Sequence, residues 1–296
     1  MVTVVVPVFN EERYVRETAL TIAKAAEEAG NTPLDVIIVN DGSTDRTGEI
    51  IWELEQEFPF VRSIHHTKNL GIGVSIRESI QIAKYPKFMF VPGDNDMPQH
   101  VIRDLFMLRD KADIIMIYIL NKEIRGRTRT VISVLYGLFY MIVFNIFVQY
   151  IHGPCVYPTE KIRKLNLKSK RFSILSEMNV KLLCSGCTFY EIPGYIQTGA
   201  EGSTALSLKN LMEVIIAFFR LVWEVKFHNR LCFDKRPIRI YGATERAAVQ
   251  QPVGVLPSMF IAANVRSQSP QAAAEAEVEP AANVRSVEFI DSVDKL

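Results

Sequence analysis

The sequence predicts an α/β protein built on a doubly wound, mostly parallel sheet, and three observations carry that prediction. Short apolar, β-branched runs at 2–7, 35–39, 61–65, 87–91 and 113–120 alternate with helical patterns at 11–30, 45–57, 72–84 and 98–110. Two of these runs lead straight into acidic turns, VNDGSTD at 39–45 and GDND at 93–96. Beyond residue 120 the rhythm gives way to one long apolar stretch and one amphipathic one, which predicts apolar and amphipathic C-terminal helices.

Taken in order, VTVVVP at 2–7 reads as a buried strand that Pro7 ends, and the acidic pair Glu11-Glu12 opens a helix with an apolar stripe through Leu20, Ile22, Ala23 and Ala26. Acid at a helix start is favoured by the macrodipole and needs no ligand. The second strand runs into Asn40-Asp41-Gly42-Ser43-Thr44-Asp45, where Gly42 permits a tight turn and Ser43 or Asp45 can cap the next helix. Capping accounts for one carboxylate there, not both. Lys68-Asn69-Leu70-Gly71-Ile72-Gly73 opens the third helix with a G-x-G. A dinucleotide fingerprint needs G-x-G-x-x-G directly after the first strand, so hydride transfer is disfavoured. After the fourth strand, Asp94 and Asp96 stand in a D-x-D spacing whose hard oxygen ligands suit Mg²⁺ or Mn²⁺. Carboxylates at the carboxyl ends of neighbouring strands converge on the crevice where open α/β sheets bind ligands.

Arg125, Arg127 and Arg129 precede VISVLYGLFYMIVFNIFVQYI at 131–151, a stretch without a charged side chain and of the length, about 20 residues, that spans a bilayer. Its Ser133, Asn145 and Gln149 fit equally a helix lying in the interface or buried under the sheet. A helix is expected from Glu177 to Ser185, a strand at 188–193 and an amphipathic helix at 206–227. From about Ala247 the composition turns to Ala, Gln, Pro, Val, Ser and Glu, with AANVRS repeated at 262–267 and 281–286, which predicts a disordered tail over 247–296.

At 296 residues, 48% hydrophobic and 23% charged, the chain can bury one large or two modest cores. A formal net charge of +1 supplies no global field for nucleic acid, which is not an expected partner. No basic, signal-like segment opens the sequence, so a cytosol-facing domain is expected. Cys155, Cys184, Cys187 and Cys232 are too few for a disulfide framework, and the CxxC of Cys184 and Cys187 lacks the second pair of a closed zinc site.

The ordered series VVVPVFNEE, VNDGSTD, KNLGIGVSIRESI, GDND, Glu177, and Glu191-Ile192-Pro193 followed by Gly202-Ser203 resembles family 2 inverting glycosyltransferases of the GT-A fold. Within that family it is most similar to the polyprenyl-phosphate sugar transferases, such as the dolichyl-phosphate mannose and glucose synthases. The resemblance covers about residues 2–203. It implies that Pro7, Phe9, Glu11, Asp41 and Gly71 bind a nucleotide-diphosphate sugar of the GDP-mannose or UDP-glucose type. It implies that Asp94 and Asp96 hold Mg²⁺ or Mn²⁺ with the diphosphate, and that Arg125, Arg127 and Arg129 meet a polyprenyl phosphate at a membrane surface. Residues 1–120 then form the nucleotide-sugar-binding half and 121–240 the acceptor half. Three positions depart from the family pattern: Phe9 where Tyr is frequent, Gln99 one place late, and Gly199 where an arginine is expected, a loss that Lys209 or the Arg125 group would have to cover.

By the same resemblance, an acceptor oxygen attacks the anomeric carbon in line with the departing nucleoside diphosphate. A phosphate monoester, with a second pKa of about 6, is mostly dianionic at neutral pH and needs no protein base. A glycan, glycolipid or protein hydroxyl would need one, and Glu177 is its candidate. A protein of another class, a nucleotide-sugar-binding or membrane scaffold without turnover, is the remaining alternative.

Overall fold

The structure is a computed structural model that describes residues 1–121, 124, 126–197 and 208–241, with backbone alone at 128, 129 and 208–211. The described residues belong to the compact unit Met1–Gly242. The expected tail at 247–296 lies outside the described residues, as do Arg125, Gly199, Gly202 and Ser203.

The first five strands and four helices fall where the periodicities place them. They are β1 (Val2–Val8), α1 (Val15–Glu28), β2 (Leu34–Asn40), α2 (Thr47–Glu57), β3 (Val61–His65), α3 (Ile72–Ile82), β4 (Lys87–Phe90), α4 (Gln99–Leu108) and β5 (Ile114–Ile119). Then follow α5 (Arg127–Phe144), β6 (Cys155–Pro158), α6 (Thr159–Arg163), α7 (Ser173–Cys184), β7 (Thr188–Gly194), α8 (Leu208–Val222) and β8 (Ile238–Arg239). One 8-stranded sheet runs β3-β2-β1-β4-β6-β5-β7-β8, so both expected halves share it and residue 120 falls inside it. All pairings are parallel except those of β6, which lies antiparallel between β4 and β5.

Strand alternation divides the core into two layers. Val5, Ile37, Val39 and Phe88 pack with Ile76, Tyr140, Ile174 and Met178 from α3, α5 and α7. Val4, Val6, Val36 and Ile38 pack with Ile22, Ile51, Val101 and Leu105 from α1, α2 and α4. Helices therefore cover both faces, as the doubly wound class requires.

Three expectations are corrected. Helix α1 starts at Val15, not Glu11, because residues 10–12 are bonded to the turn after β2. The apolar run 131–151 is not one helix: α5 stops at Phe144, where Asn145 takes a left-handed conformation (φ 55°) and the chain turns back. Among the described residues, no helix is long and apolar enough to cross a membrane. Helix α7 starts at Ser173, which moves Glu177 from a first turn into the second.

The amphipathic pattern at the C-terminal side is α8, continued by a π-helical stretch, Trp223–His228. Its Phe218 ring packs against Tyr140 and Phe144 of α5 (centroids 5.0 and 6.1 Å), so the two helices lie side by side. Both leave large apolar residues in solvent: Val134, Leu138, Phe139 and Ile142 on α5, and Ile216, Phe219, Trp223 and Phe227 along α8 and its extension.

Candidate functional site

In the sheet order, β2 and β3 extend from β1 in one direction while β4 flanks its other side, so connectivity reverses between β1 and β4. At such a switch point the loops leave the carboxyl ends of the two strands in opposite directions and open a crevice. Residues 9–12 and 91–98 are those loops.

The loop after β1 is laced to the turn after β2. Asn10, in a left-handed conformation (φ 59°), donates its N–H to Ser43 Oγ at 3.0 Å and accepts at Oδ1 from Thr44 N–H at 2.8 Å. Glu11 N–H donates to Thr47 Oγ1 at 2.9 Å, and Glu12 N–H to Asp45 Oδ2 at 3.2 Å. Asp45 Oδ1 also accepts from Thr47 N–H at 3.1 Å, although the residue at the N-cap position of α2 is Arg46, not Asp45. Pro7, one residue before the end of β1, is in register with Val39, Phe9 is exposed, and Glu11 is half-buried. Burial, and then the negative charges of Asp94 and Asp45, push the Glu11 carboxyl up to about 7.

Asp94 and Asp96 sit half-buried on a turn in which Asn95 is left-handed (φ 54°) and Asp96 N–H donates to Asp94 Oδ1 at 3.2 Å. Gly93 admits this turn: a Cβ there would collide with Val8 and the Pro7 carbonyl, so the loop lies directly on the end of β1. Two half-buried carboxylates on one turn are hard oxygen donors of the kind that suit a divalent cation. Among the described residues no three His, Cys, Asp or Glu side chains converge as a complete ligand set. A cation held by Asp94 and Asp96 would need further oxygens from substrate and water, the usual habit of Mg²⁺ at phosphate sites.

Asp41, 3% exposed, turns away from the solvent and fastens the next loop. Its carboxylate accepts from Leu70 N–H and Gly71 N–H, both at 2.8 Å, and meets His66 Nδ1 at 2.7 Å; His66 Nε2 in turn meets Glu78 at 2.8 Å. Gly71, at φ 96°, is thus fixed at the start of α3 by its own amide. Burial by itself lowers the His66 pKa, but hydrogen bonds to Asp41 and Glu78 outweigh it and the net direction is upward. A folded-state pKa above the unfolded value gives stability that is complete below about pH 6.5 and is lost as pH rises through the folded value. His66→Gln is therefore expected to be less stable than the parent at pH 6 by about 1.5–3 kcal/mol, the range of hydrogen bonds to charged groups. Urea unfolding should show that gap shrinking at pH 9; a gap independent of pH would mean that His66 is neutral in the fold.

Glu177, in the second turn of α7, is also buried and paired. It is 3% exposed, its carboxylate accepts from Lys168 N–H (3.0 Å) and Ser169 N–H (2.8 Å), and it is paired with Lys181 at 2.8 Å. Burial raises its pKa, yet the Lys181 charge and the hydrogen bonds of Ser169 outweigh burial and lower it. A carboxylate so held is a poor proton acceptor. Sequence reasoning missed its partners because Lys168 and Glu224 are remote in sequence, although Lys181 at i+4 was a visible signal.

Of the three arginines, Arg127 is exposed at the start of α5 and Arg129, described by its backbone alone, follows about half a turn on. Cys184 and Cys187 are buried free thiols, and burial pushes the Cys184 pKa up to about 11, so neither is primed for metal or redox work.

Residues 3–160 match the family model described as Glycosyl transferase family 2. A dolichyl-phosphate beta-glucosyltransferase of Trichomonas vaginalis is 29% identical over 96 residues, which cover 31% of this chain and 28% of that one. A dolichol-phosphate mannosyltransferase of Pyrococcus furiosus is 25% identical over 232 residues, 75% of this chain and 64% of that one. The chain thus spans less than two thirds of the length of these relatives. Among solved structures, glucosyl-3-phosphoglycerate synthase from Mycobacterium tuberculosis, in complex with Mn²⁺, UDP-glucose and phosphoglyceric acid, superposes with a TM-score of 0.57 at 13% identity, over 75% of this chain and 79% of that one. That likeness bears on the fold.

Proposed function

We propose, since this chain belongs to glycosyl transferase family 2, that it transfers a hexose with inversion from a nucleotide-diphosphate sugar to a polyprenyl phosphate at a membrane surface. The observation that carries the donor side is the half-buried Asp94–Asp96 turn, packed on the end of β1 through Gly93, beside the loop of Glu11 where the sheet reverses direction. Pro7, Phe9 and Glu11 line one side of the crevice, and the 70–71 amides fixed by Asp41 shape the wall beyond the β2 turn. Asp94 and Asp96 hold a Mg²⁺ or Mn²⁺ ion. Bound there, the ion neutralises charge on the departing diphosphate.

Two features favour a lipid phosphate over a hydroxyl acceptor. The exposed apolar faces of α5 and α8 suit the interface of a bilayer that neither helix crosses. Glu177, the base that the sequence suggested, is locked in a buried ion pair, and a phosphate dianion dispenses with a base altogether. Arg127, with Arg125 and Arg129, receives the acceptor phosphate. The matching dolichyl-phosphate relatives support the same acceptor class.

Radiolabelled UDP-glucose and GDP-mannose, each with Mn²⁺, offered against polyprenyl phosphate in vesicles and against soluble glycans, test the proposal. Label is expected in the lipid fraction for one donor. Label in the glycans alone would replace the acceptor, and no turnover with any acceptor would leave a binding protein.

A further inference from the structure

We propose that the buried charges Glu177, Lys181 and Glu224 position the nucleotide-sugar site from behind, through residues 166–171; this rests on the donor assignment above. Lys181 is fully buried, with Nζ at 2.8 Å from both Glu177 Oε1 and Glu224 Oε1 and at 2.5 Å from the Asn166 carbonyl. Lys168 adds a second cation 3.4 Å from Glu224. Desolvating such ions costs several kcal/mol each, and apolar residues would join α7 to α8 without that cost. What apolar residues would not do is shape a loop. Glu177 takes the amides of Lys168 and Ser169, Lys181 takes the carbonyl of Asn166, and Arg220 of α8 donates to Ser169 Oγ at 3.1 Å.

The outer side of that loop is the seat of the donor wall. Gly73 N–H donates to the Lys170 carbonyl at 2.9 Å, and Arg77 of α3 donates to the Ser169 carbonyl. Gly71 and Gly73 lie so close to this backbone that a Cβ on either would collide with the carbonyls of Lys170 or Ser169. Gly71 also gives its amide to Asp41. Each link from Glu177 to Asp41 is thus a hydrogen bond or a backbone contact that leaves no room for a side chain. A loop fixed from both sides is preorganised, and small misplacements in such walls are costly to binding.

Glu177→Gln removes the charge and keeps the shape; Arg77→Gln loosens the same loop from outside the buried cluster. Calorimetric titration of the full chain with UDP-glucose and with GDP-mannose, in Mn²⁺, is expected to show donor affinity falling about tenfold in both variants, about 1.4 kcal/mol. The donor KM should rise alongside, with kcat and the pH–rate profile close to those of the parent. A loss confined to kcat with a displaced acidic limb would make Glu177 a base and overturn the proposal. Unchanged donor affinity would overturn it too. If Glu177→Gln fails to fold, as circular dichroism would report, Arg77→Gln alone decides. A parent protein that binds neither nucleotide sugar would instead remove the donor assignment, and this inference with it.

Discussion

Asp94→Ala and Asp96→Ala are each expected to cut sugar transfer by at least about 10²-fold, some 2.7 kcal/mol of transition-state stabilisation, while leaving the fold intact. The two side chains lie half-buried on a turn, outside both packed layers of the core, so neither substitution opens a cavity. The loss comes from the negative charge that builds on a departing diphosphate: with one carboxylate gone, a cation there is held by a single acid. Removing Asp94 also removes one of the charges that raise Glu11, whose carboxyl should then titrate below about 7. Three measurements check the prediction together: turnover, Mn²⁺ binding followed by electron paramagnetic resonance, and thermal unfolding. Most of the activity surviving in both variants would dismiss the metal site and the donor assignment built on it.

The largest expected loss of stability is at Lys181. Lys181→Met leaves Glu177 and Glu224, 3% and 4% exposed, with their shared cation gone. Removing one partner of a buried ion pair costs about 3–5 kcal/mol, because the remaining charge cannot be rehydrated in place. Lys168 stays within 3.4 Å of Glu224 and softens the loss on that side. A second change, Glu224→Leu, takes away the other stranded charge and should recover part of the stability, a non-additivity expected of residues in one network. Urea unfolding of the two single variants and the double measures it. A Lys181→Met loss below about 1 kcal/mol would mean that water reaches the cluster in solution.

Most of the fold was legible because its first half follows simple patterns: short continuous apolar runs that become β1, β2 and β4, and helices whose stripes lead to α1, α3 and α4. The acidic turns were legible for the same reason, since each follows a strand directly. β6 was not: four residues that follow Gly153-Pro154 and end on Pro158 look like a turn, and only the vacant place between β4 and β5 makes them a strand. The run at 131–151 misled because hydrophobicity does not say which apolar residues face protein; Asn145, a residue that accepts left-handed geometry, was the break in plain view. The role of Glu177 was hidden by distance along the chain. Its amide donors lie eight and nine residues before it, and Glu224 joins through Lys181 only once α8 has folded back.

The reversed strand β6 bears on how the polypeptide reaches its native state. β4 and β5 never touch edge to edge; they are joined only through residues 155–158, which are made after both. A nascent segment that stops near residue 120 therefore carries β5 with no neighbour and β4 with one bare flank, an invitation to associate with other chains. The region that holds the candidate donor crevice is thus not a self-sufficient module in assembly. It waits for a late-arriving strand to close the middle of its own sheet.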